Sequence, residues 1–276
     1  MLHFFMLNKI IKNLLLPHKI PSKIFNKINF YIKNYTYQLN FFDKKQNDIF
    51  QNIFLDRQSG IKKLNFIKEQ FSFLKNKPMS SEHEVLFSSL SIDNKIKEIL
   101  EIGTYDGANA FLLSKLFPNS KIDTIDIDSK DKDFINFYNR EESVKEFIDL
   151  RNKNLSKNSS INFIELNSCG LINHKKKYDL IWIDGAHGYP VVCMDIVNSL
   201  HLINDNGFIA LDDVCPHLQY SNSDKMYSSV ASYETLKELE KQNLIKLNLI
   251  YKRLESKYNC LPKKRKYVAI FKKLYS

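Results

Sequence analysis

The sequence predicts an α/β chain: a doubly wound, mostly parallel sheet with a C-terminal antiparallel strand pair, preceded by a helical extension. Three observations carry that expectation. Residues 97–128 read as strand, glycine turn, helix and second strand. Two short apolar runs, Leu180 to Ile183 and Phe208 to Leu211, each end on carboxylates. Leu244 to Tyr251 and Lys266 to Lys272 alternate apolar and polar residues, as paired antiparallel strands do.

The first unit is the most informative. Glu98 to Ile102 is a short apolar run that stops at Gly103; Gly107 follows four residues later, and Ala110 to Leu116 is apolar at helical spacing. Gly103 lets the backbone turn sharply off the strand, and Gly107 lets a ligand approach a helix N-terminus without meeting a Cβ. Asp126 closes the next strand, where a carboxylate can hold a ribose diol. A dinucleotide site would show G-x-G-x-x-G and hold a pyrophosphate on the helix dipole. Here the pattern is E-x-G-x-x-x-G from Glu101 to Gly107, with Asp106 inside the turn. A carboxylate there repels phosphate and tolerates a cationic or zwitterionic ligand. S-adenosylmethionine, with a sulfonium, an amino-acid end and a ribose but no phosphate, meets that requirement.

Composition sets the outer limits. A chain of 276 residues holds one α/β domain with an extension, or two small domains, and 20 Phe with 14 Tyr can fill a large core. Cys169, Cys193, Cys215 and Cys260 are far apart and unpaired in sequence, which suits a reducing, cytoplasmic setting and excludes a disulfide framework or a zinc ribbon. The net charge of +10 is unevenly spread: residues 1–80 hold 14 Lys/Arg against 4 acids, 81–240 hold 16 against 26, and 241–276 hold 11 against 1. Basic ends on an acidic body can attract nucleic acid, an acidic glycan or a membrane surface. A Lys- and Asn-rich composition that solvates its surface explains the same bias, and nucleic acid is not the expected partner.

In chain order, Leu7, Ile10, Ile11, Leu14 and Leu15 make one apolar helical stripe, interrupted by Lys9 and Lys12. The segment is too short and charged to span a bilayer, and it lacks a signal-peptide cleavage site. Peripheral membrane contact through residues 1–20, packing on the domain and packing on a second copy as a homodimer all remain open. Residues 23–77 read as two or three helices with a break at Gly60. Asn76-Lys77-Pro78 marks the boundary between an N-terminal extension or cap, 1–78, and the main domain, 79–276. Ser80 or Ser81 starts the next helix, whose apolar face is Val85, Leu86 and Leu90. Beyond the first unit, a helix is expected from Glu142 to Leu155 and a strand over 161–166. That strand ends at Asn167-Ser168, a position near the adenine in such a sheet, or else a plain turn.

Asp184 closes the strand Leu180 to Ile183, and open α/β sheets bind ligands at that edge. Pro190 suits the first turn of a following helix whose core face is expected to be Val191, Met194, Val197 and Leu200. An Asn206-Gly207 turn then leads into Phe208 to Leu211 and on to Asp212-Asp213. Adjacent carboxylates that stay ionised need a cation, and oxygen ligands suit Mg²⁺ first, then Mn²⁺ or Ca²⁺. Asp184, Asp212 and Asp213 are therefore the candidate metal ligands. His187, three residues past Asp184, is the candidate base for a substrate hydroxyl.

Glu101-Ile-Gly103-Thr-Tyr105-Asp-Gly107, Ile125-Asp126, Asp184-Gly-Ala-His187 and Leu211-Asp212-Asp213 resemble class I S-adenosylmethionine-dependent methyltransferases. The metal-dependent O-methyltransferases of the catechol and caffeoyl-CoA type, with their sugar- and antibiotic-tailoring relatives, are the nearest resemblance. It covers roughly residues 79–276 and implies a Rossmann-like fold. It also implies that Glu101, Gly103 and Tyr105 line the methionine end of the cofactor, with Asn109 near its carboxylate. Asp126 would take the ribose hydroxyls, and Asn167 and Ser168 the adenine. Two positions depart from the catechol type: His187 stands where those enzymes have a lysine base, and Asp213 replaces a frequent asparagine. Both argue against a catechol or caffeoyl acceptor and leave a sugar or small-molecule hydroxyl. Rival functions are an RNA or DNA methyltransferase using the basic ends, and a non-catalytic assembly protein. After Asp213, residues 214–229 read as a loop over the substrate or a long connection, and Lys263 to Lys266 as an exposed hairpin turn.

Overall fold

The computed structural model describes residues 22–75, 81–93, 95–136, 143–217 and 229–274. The expected amphipathic stripe within residues 1–20, the boundary at Asn76-Lys77-Pro78 and most of the 214–229 loop lie outside the described residues.

Four helices come first: α1 (Ser22–Tyr35), α2 (Leu39–Asn52), α3 (Arg57–Gln70) and the single turn α4 (Ser72–Lys75). The helix α5 (Glu82–Leu90) then leads into the sheet through β1 (Glu98–Ile102), α6 (Ala108–Leu116), β2 (Lys121–Asp126), α7 (Lys132–Asn136), α8 (Val144–Leu155) and β3 (Ile161–Glu165). A 3₁₀ turn over Ser168–Asn173 precedes β4 (Tyr178–Ile183), α9 (Val191–Leu202), β5 (Ile203–Val214), α10 (Ala231–Lys241), β6 (Ile245–Tyr251), α11 (Ser256–Asn259) and β7 (Tyr267–Lys273).

The seven strands lie in the order β3-β2-β1-β4-β5-β7-β6. β1 to β5 run parallel, while β7 inserts antiparallel to both β5 and β6. The expected doubly wound sheet with an antiparallel C-terminal pair is therefore what forms. Period-2 alternation divides the strand side chains between two cores. Ile99, Leu180, Trp182 and Ala210 face one helical layer; Leu100, Ile102, Ile181, Ile183, Ile209 and Leu211 face the other.

The first core is shared with the N-terminal helices: Phe50, Leu64, Ile67 and Leu74 pack with Phe87, Phe111 and Trp182. Arg57, at the start of α3, is 5 % exposed and ties the layers together. Its guanidinium donates to Glu82 at 2.8 and 3.1 Å, to Asp43 at 2.8 Å and to Asn47 at 2.8 Å. Such a fork satisfies nearly all the donors of a buried guanidinium.

Three local expectations are corrected. Gly60 does not break a helix but sits inside α3, because it is where α3 presses on α5: a Cβ there would lie 3.1 Å from the Ser89 Cβ and closer still to its hydroxyl. The Asn206-Gly207 pair makes no turn; β5 runs unbroken from Ile203, with a register irregularity against β4 between Tyr178 and Leu180. The core face of α9 is rotated from the expected one. Val192, Ile196 and Leu200 are buried with Asp195 and Ser199, whereas Met194 and Val197 are exposed. Polar residues on the buried face hid it from an apolar-periodicity count.

Candidate active site

The site forms where β1, β2, β4 and β5 end. Gly103 leaves β1 at φ +100° and Gly107 caps α6 at φ +73°, both in the left-handed region that favours glycine. A Cβ on Gly103 would fall 2.7 Å from the carbonyl carbon of Asp184, so the turn after β1 lies directly against the end of β4.

Glu101 is the buried anchor of this turn. The register that sets Glu101 opposite Thr124 lets the threonine hydroxyl donate to Oε2 at 2.5 Å, while Asn109 Nδ2 donates to Oε1 at 2.7 Å. Burial pushes the carboxyl up to about 8; the bonds from Thr124 and Asn109 oppose this, and the charges of Asp184 and Asp106 add to it. Asn109 Oδ1 is buried and accepts no hydrogen bond. A buried carboxyl short of positive charge, beside an unused carbonyl acceptor, suits the ammonium of an amino-acid ligand. The residues therefore fit the expected cofactor.

The remaining cofactor candidates lie along the same edge. Tyr105, at φ +49°, donates its backbone N–H to Asp126 Oδ2 at 3.1 Å, and the Ile127 N–H donates to Oδ1 at 2.9 Å. Behind Asp126 stands Arg151, 2 % exposed, with its guanidinium carbon 4.3 Å from the centre of the Phe163 ring. Asn167 caps the 3₁₀ turn by accepting from the Cys169 N–H at 3.0 Å, and the Ser168 carbonyl accepts from Asn198 at 3.2 Å. Both residues make the loop that follows β3.

Across the Gly103 contact lies the acidic edge. Asp184 Oδ1 is 3.5 Å from His187 Nε2, and His187 is 2 % exposed with Nδ1 unpartnered. Burial alone would lower the imidazole, but the bond to Asp184 and the charges of Asp213, Asp184 and Asp212 carry it above its ordinary value. The Asp184 carboxyl is raised, first by loss of water and then by the charge of Asp212. Asp195 on α9 is fully buried beside this pair and sits at about 6, pushed up by burial and held back by Ser168 and the His187 charge.

Asp212 and Asp213 do meet a cation, and it is a lysine. Lys252, just after β6, is 4 % exposed and donates from Nζ to Asp212 Oδ2 at 2.5 Å and to Asp213 Oδ1 at 2.6 Å. Lys266 reaches Asp213 Oδ2 at 3.2 Å. Burial would raise the Asp212 carboxyl, yet the Lys252 ammonium holds it far below the usual carboxylate range. Two ammoniums and an imidazole thus face three carboxylates. Among the described residues, no group of three or more His, Cys, Asp or Glu is arranged to hold a metal. A divalent ion here would have to displace the Lys252 ammonium from Asp212 Oδ2 and Asp213 Oδ1 and that of Lys266 from Asp213 Oδ2; Asp212 Oδ1 is buried and accepts no hydrogen bond.

Lys252 and Asp195 escaped the sequence reading. Lys252 is one lysine among many in a basic tail, and Asp195 lies off the core face expected for its helix. Only its spacing from the buried Val192, Ile196 and Ser199 marks it as facing inward.

The Rossmann-like methyltransferase fold is thereby defined: a glycine turn with a buried acid after β1, a carboxylate after β2, and an antiparallel β7 beside β5. In accord with this, residues 100–214 match a family model described as a methyltransferase domain. No curated protein sequence matches the chain. Among solved structures, the O-methyltransferase TomG from Streptomyces achromogenes, in complex with S-adenosylmethionine, is 13 % identical with a TM-score of 0.51, covering 82 % of this chain and 94 % of its own. A Staphylococcus aureus protein assigned as a caffeoyl-CoA O-methyltransferase is 18 % identical with a TM-score of 0.51, covering 83 % and 98 %. A Klebsiella pneumoniae protein assigned as an O-methyltransferase is 14 % identical with a TM-score of 0.51, covering 69 % and 79 %. At such identities the likeness is one of fold. No helix among the described residues is long and apolar enough to cross a membrane.

Proposed function

We propose that this chain transfers a methyl group from S-adenosylmethionine to a hydroxyl of a sugar or other small molecule, with His187 as the base. The observation that carries this function is the abutment at Gly103. The buried Glu101–Asn109 pair lies on one side of it and the Asp184–His187 pair on the other, with backbone in direct contact between them. S-adenosylmethionine supplies an electrophilic methyl carbon when bound. Glu101 and Asn109 Oδ1 receive the ligand ammonium, Asp126 receives the ribose hydroxyls, and the glycines leave room for the backbone to approach. Asp184 orients the imidazole of His187, which takes the acceptor proton in its neutral form. The acceptor oxygen bonds to carbon as the carbon–sulfur bond breaks, with the electron pair staying on sulfur.

Beside Lys252 opens a pocket of about 350 Å³, lined also by Arg253, Lys257, Lys264 and Lys266. That lining suits an anion; His187 and Asp184 are not part of it. Calorimetric titration with S-adenosylhomocysteine, followed by labelled-methyl transfer to a panel of sugar and small hydroxyl acceptors, tests the function. Absence of S-adenosylhomocysteine binding would refute it.

A further inference from the structure

The two carboxylates at the end of β5 are committed to a cation that the chain itself supplies. Asp212 and Asp213 are 5 % and 6 % exposed, Lys252 is 4 % exposed, and its ammonium lies within 2.6 Å of an oxygen on each. Lys266 takes the second oxygen of Asp213. Two buried carboxylates without compensation would be strongly unfavourable, and attraction to one shared ammonium offsets that desolvation. A divalent ion binding carboxylate oxygens at about 2.0–2.5 Å would have to expel the ammonium from the same oxygens. The expelled ammonium would then sit buried against a doubly charged ion.

We propose that Lys252 is the resident cation of the acceptor side of this site, so that the chain binds no divalent metal there and methyl transfer needs none. The ammonium holds Asp212 and Asp213 in place and brings a fixed positive charge to the acidic edge that Asp184 and His187 share. A positive charge there favours the acceptor oxygen as it gives up its proton to His187. That same charge is one a metal would otherwise provide. The catalytic part of this proposal rests on the methyl-transfer function above; the absence of a metal site does not.

The test is metal binding by the full chain after chelator treatment, with Mn²⁺ alone as probe, read from the electron paramagnetic resonance signal of the free ion. The expected result is that the wild-type chain leaves the free Mn²⁺ signal undiminished at millimolar ion. Lys252→Met, which frees Asp212 Oδ2 and Asp213 Oδ1, should gain a site at least ten-fold tighter, and Lys252→Met with Asp213→Asn should lose that gain. Wild-type binding of one Mn²⁺ per chain at micromolar concentration, abolished by Asp212→Asn, overturns the proposal. Lys252→Met folding is checked by circular dichroism; should it not fold, the wild-type titration decides alone. A parallel calorimetric titration with S-adenosylhomocysteine in the presence of chelator separates the two conclusions. Failure there sinks the methyl-transfer function and leaves the metal result standing.

Discussion

Asn109 Nδ2 donates to Glu101 Oε1 at 2.7 Å across the first glycine turn, joining the start of α6 to the end of β1. The bond leaves Asn109 Oδ1 buried and unused, and Glu101 at about 8. Both features describe a cradle that is short of one cation.

Cofactor binding should therefore release a proton. Between the ordinary 4.5 and about 8, the folded chain holds on Glu101 a proton that the unfolded chain has lost. Stability conferred by this group consequently falls as pH rises through that window. A ligand ammonium favours the ionised carboxylate, so S-adenosylhomocysteine affinity rises with pH over the same range. Calorimetry in buffers of differing ionisation enthalpy should show net proton release at pH 7. Glu101→Gln should abolish the release and weaken binding by about 10- to 100-fold, the range for a charged hydrogen bond; unchanged proton release in the variant would exclude Glu101.

His187 should impose an acidic limb on the rate. Its imidazole is raised above the ordinary 6.5 by Asp184 and the neighbouring carboxylates, and the neutral form is the base, so kcat/KM climbs with pH through a window shifted upward from that of a free imidazole. His187→Gln should lower kcat by about 10²- to 10⁴-fold, the usual worth of a positioned base, while S-adenosylhomocysteine affinity barely changes. A variant that keeps its rate and its pH profile removes His187 from the mechanism.

Arg57→Met should destabilise the whole molecule. The guanidinium is buried, and removing it strands the largely buried Glu82, while Asp43 stays in contact with water; the loss is about 3 kcal/mol, the low end for a broken buried pair. Because α2 to α4 share one core with the sheet, thermal unfolding followed by near-UV circular dichroism should remain a single transition at lower temperature. A separate early melt of the N-terminal helices would show that they fold apart.

Gly103→Ala should be severe. Its φ of +100° disfavours a side chain, and the new Cβ would meet the Asp184 carbonyl, which directly follows β4 on backbone pinned by the Asp184 N–H to Ile102 bond. Loss of soluble chain, or of S-adenosylhomocysteine binding by more than about ten-fold (roughly 1.4 kcal/mol), is expected. Wild-type affinity in this variant would mean that the turn is not the cofactor cradle.

The basic pocket beside Lys252 should bind anions. Inorganic pyrophosphate is expected to inhibit transfer, and Lys264→Ala to raise its inhibition constant by about 10-fold, as for a lost charged hydrogen bond. Inhibition indifferent to Lys264, Arg253 and ionic strength would place the anion elsewhere.

The succession of strands along the chain, the glycine turn and the carboxylates at strand ends were legible in the sequence because each is a local pattern. Strand alternation, the four-residue gap from Gly103 to Gly107 and an acid closing an apolar run all fall within a few positions of one another. Gly60 and the inward face of α9 were misread for the opposite reason. A glycine needed for close helix contact looks like a breaker, and a buried Asp195 looks like surface, until the neighbouring element is known. Tertiary structure alone decided what neutralises Asp212 and Asp213. Carboxylates in a row announce that a cation must be near, but Lys252 is 39 residues beyond Asp213. It arrives there only because β7 inserts between β5 and β6, which brings the end of β6 beside the end of β5. Charge type is written in the chain; which charges become neighbours is settled by the order in which the strands pair.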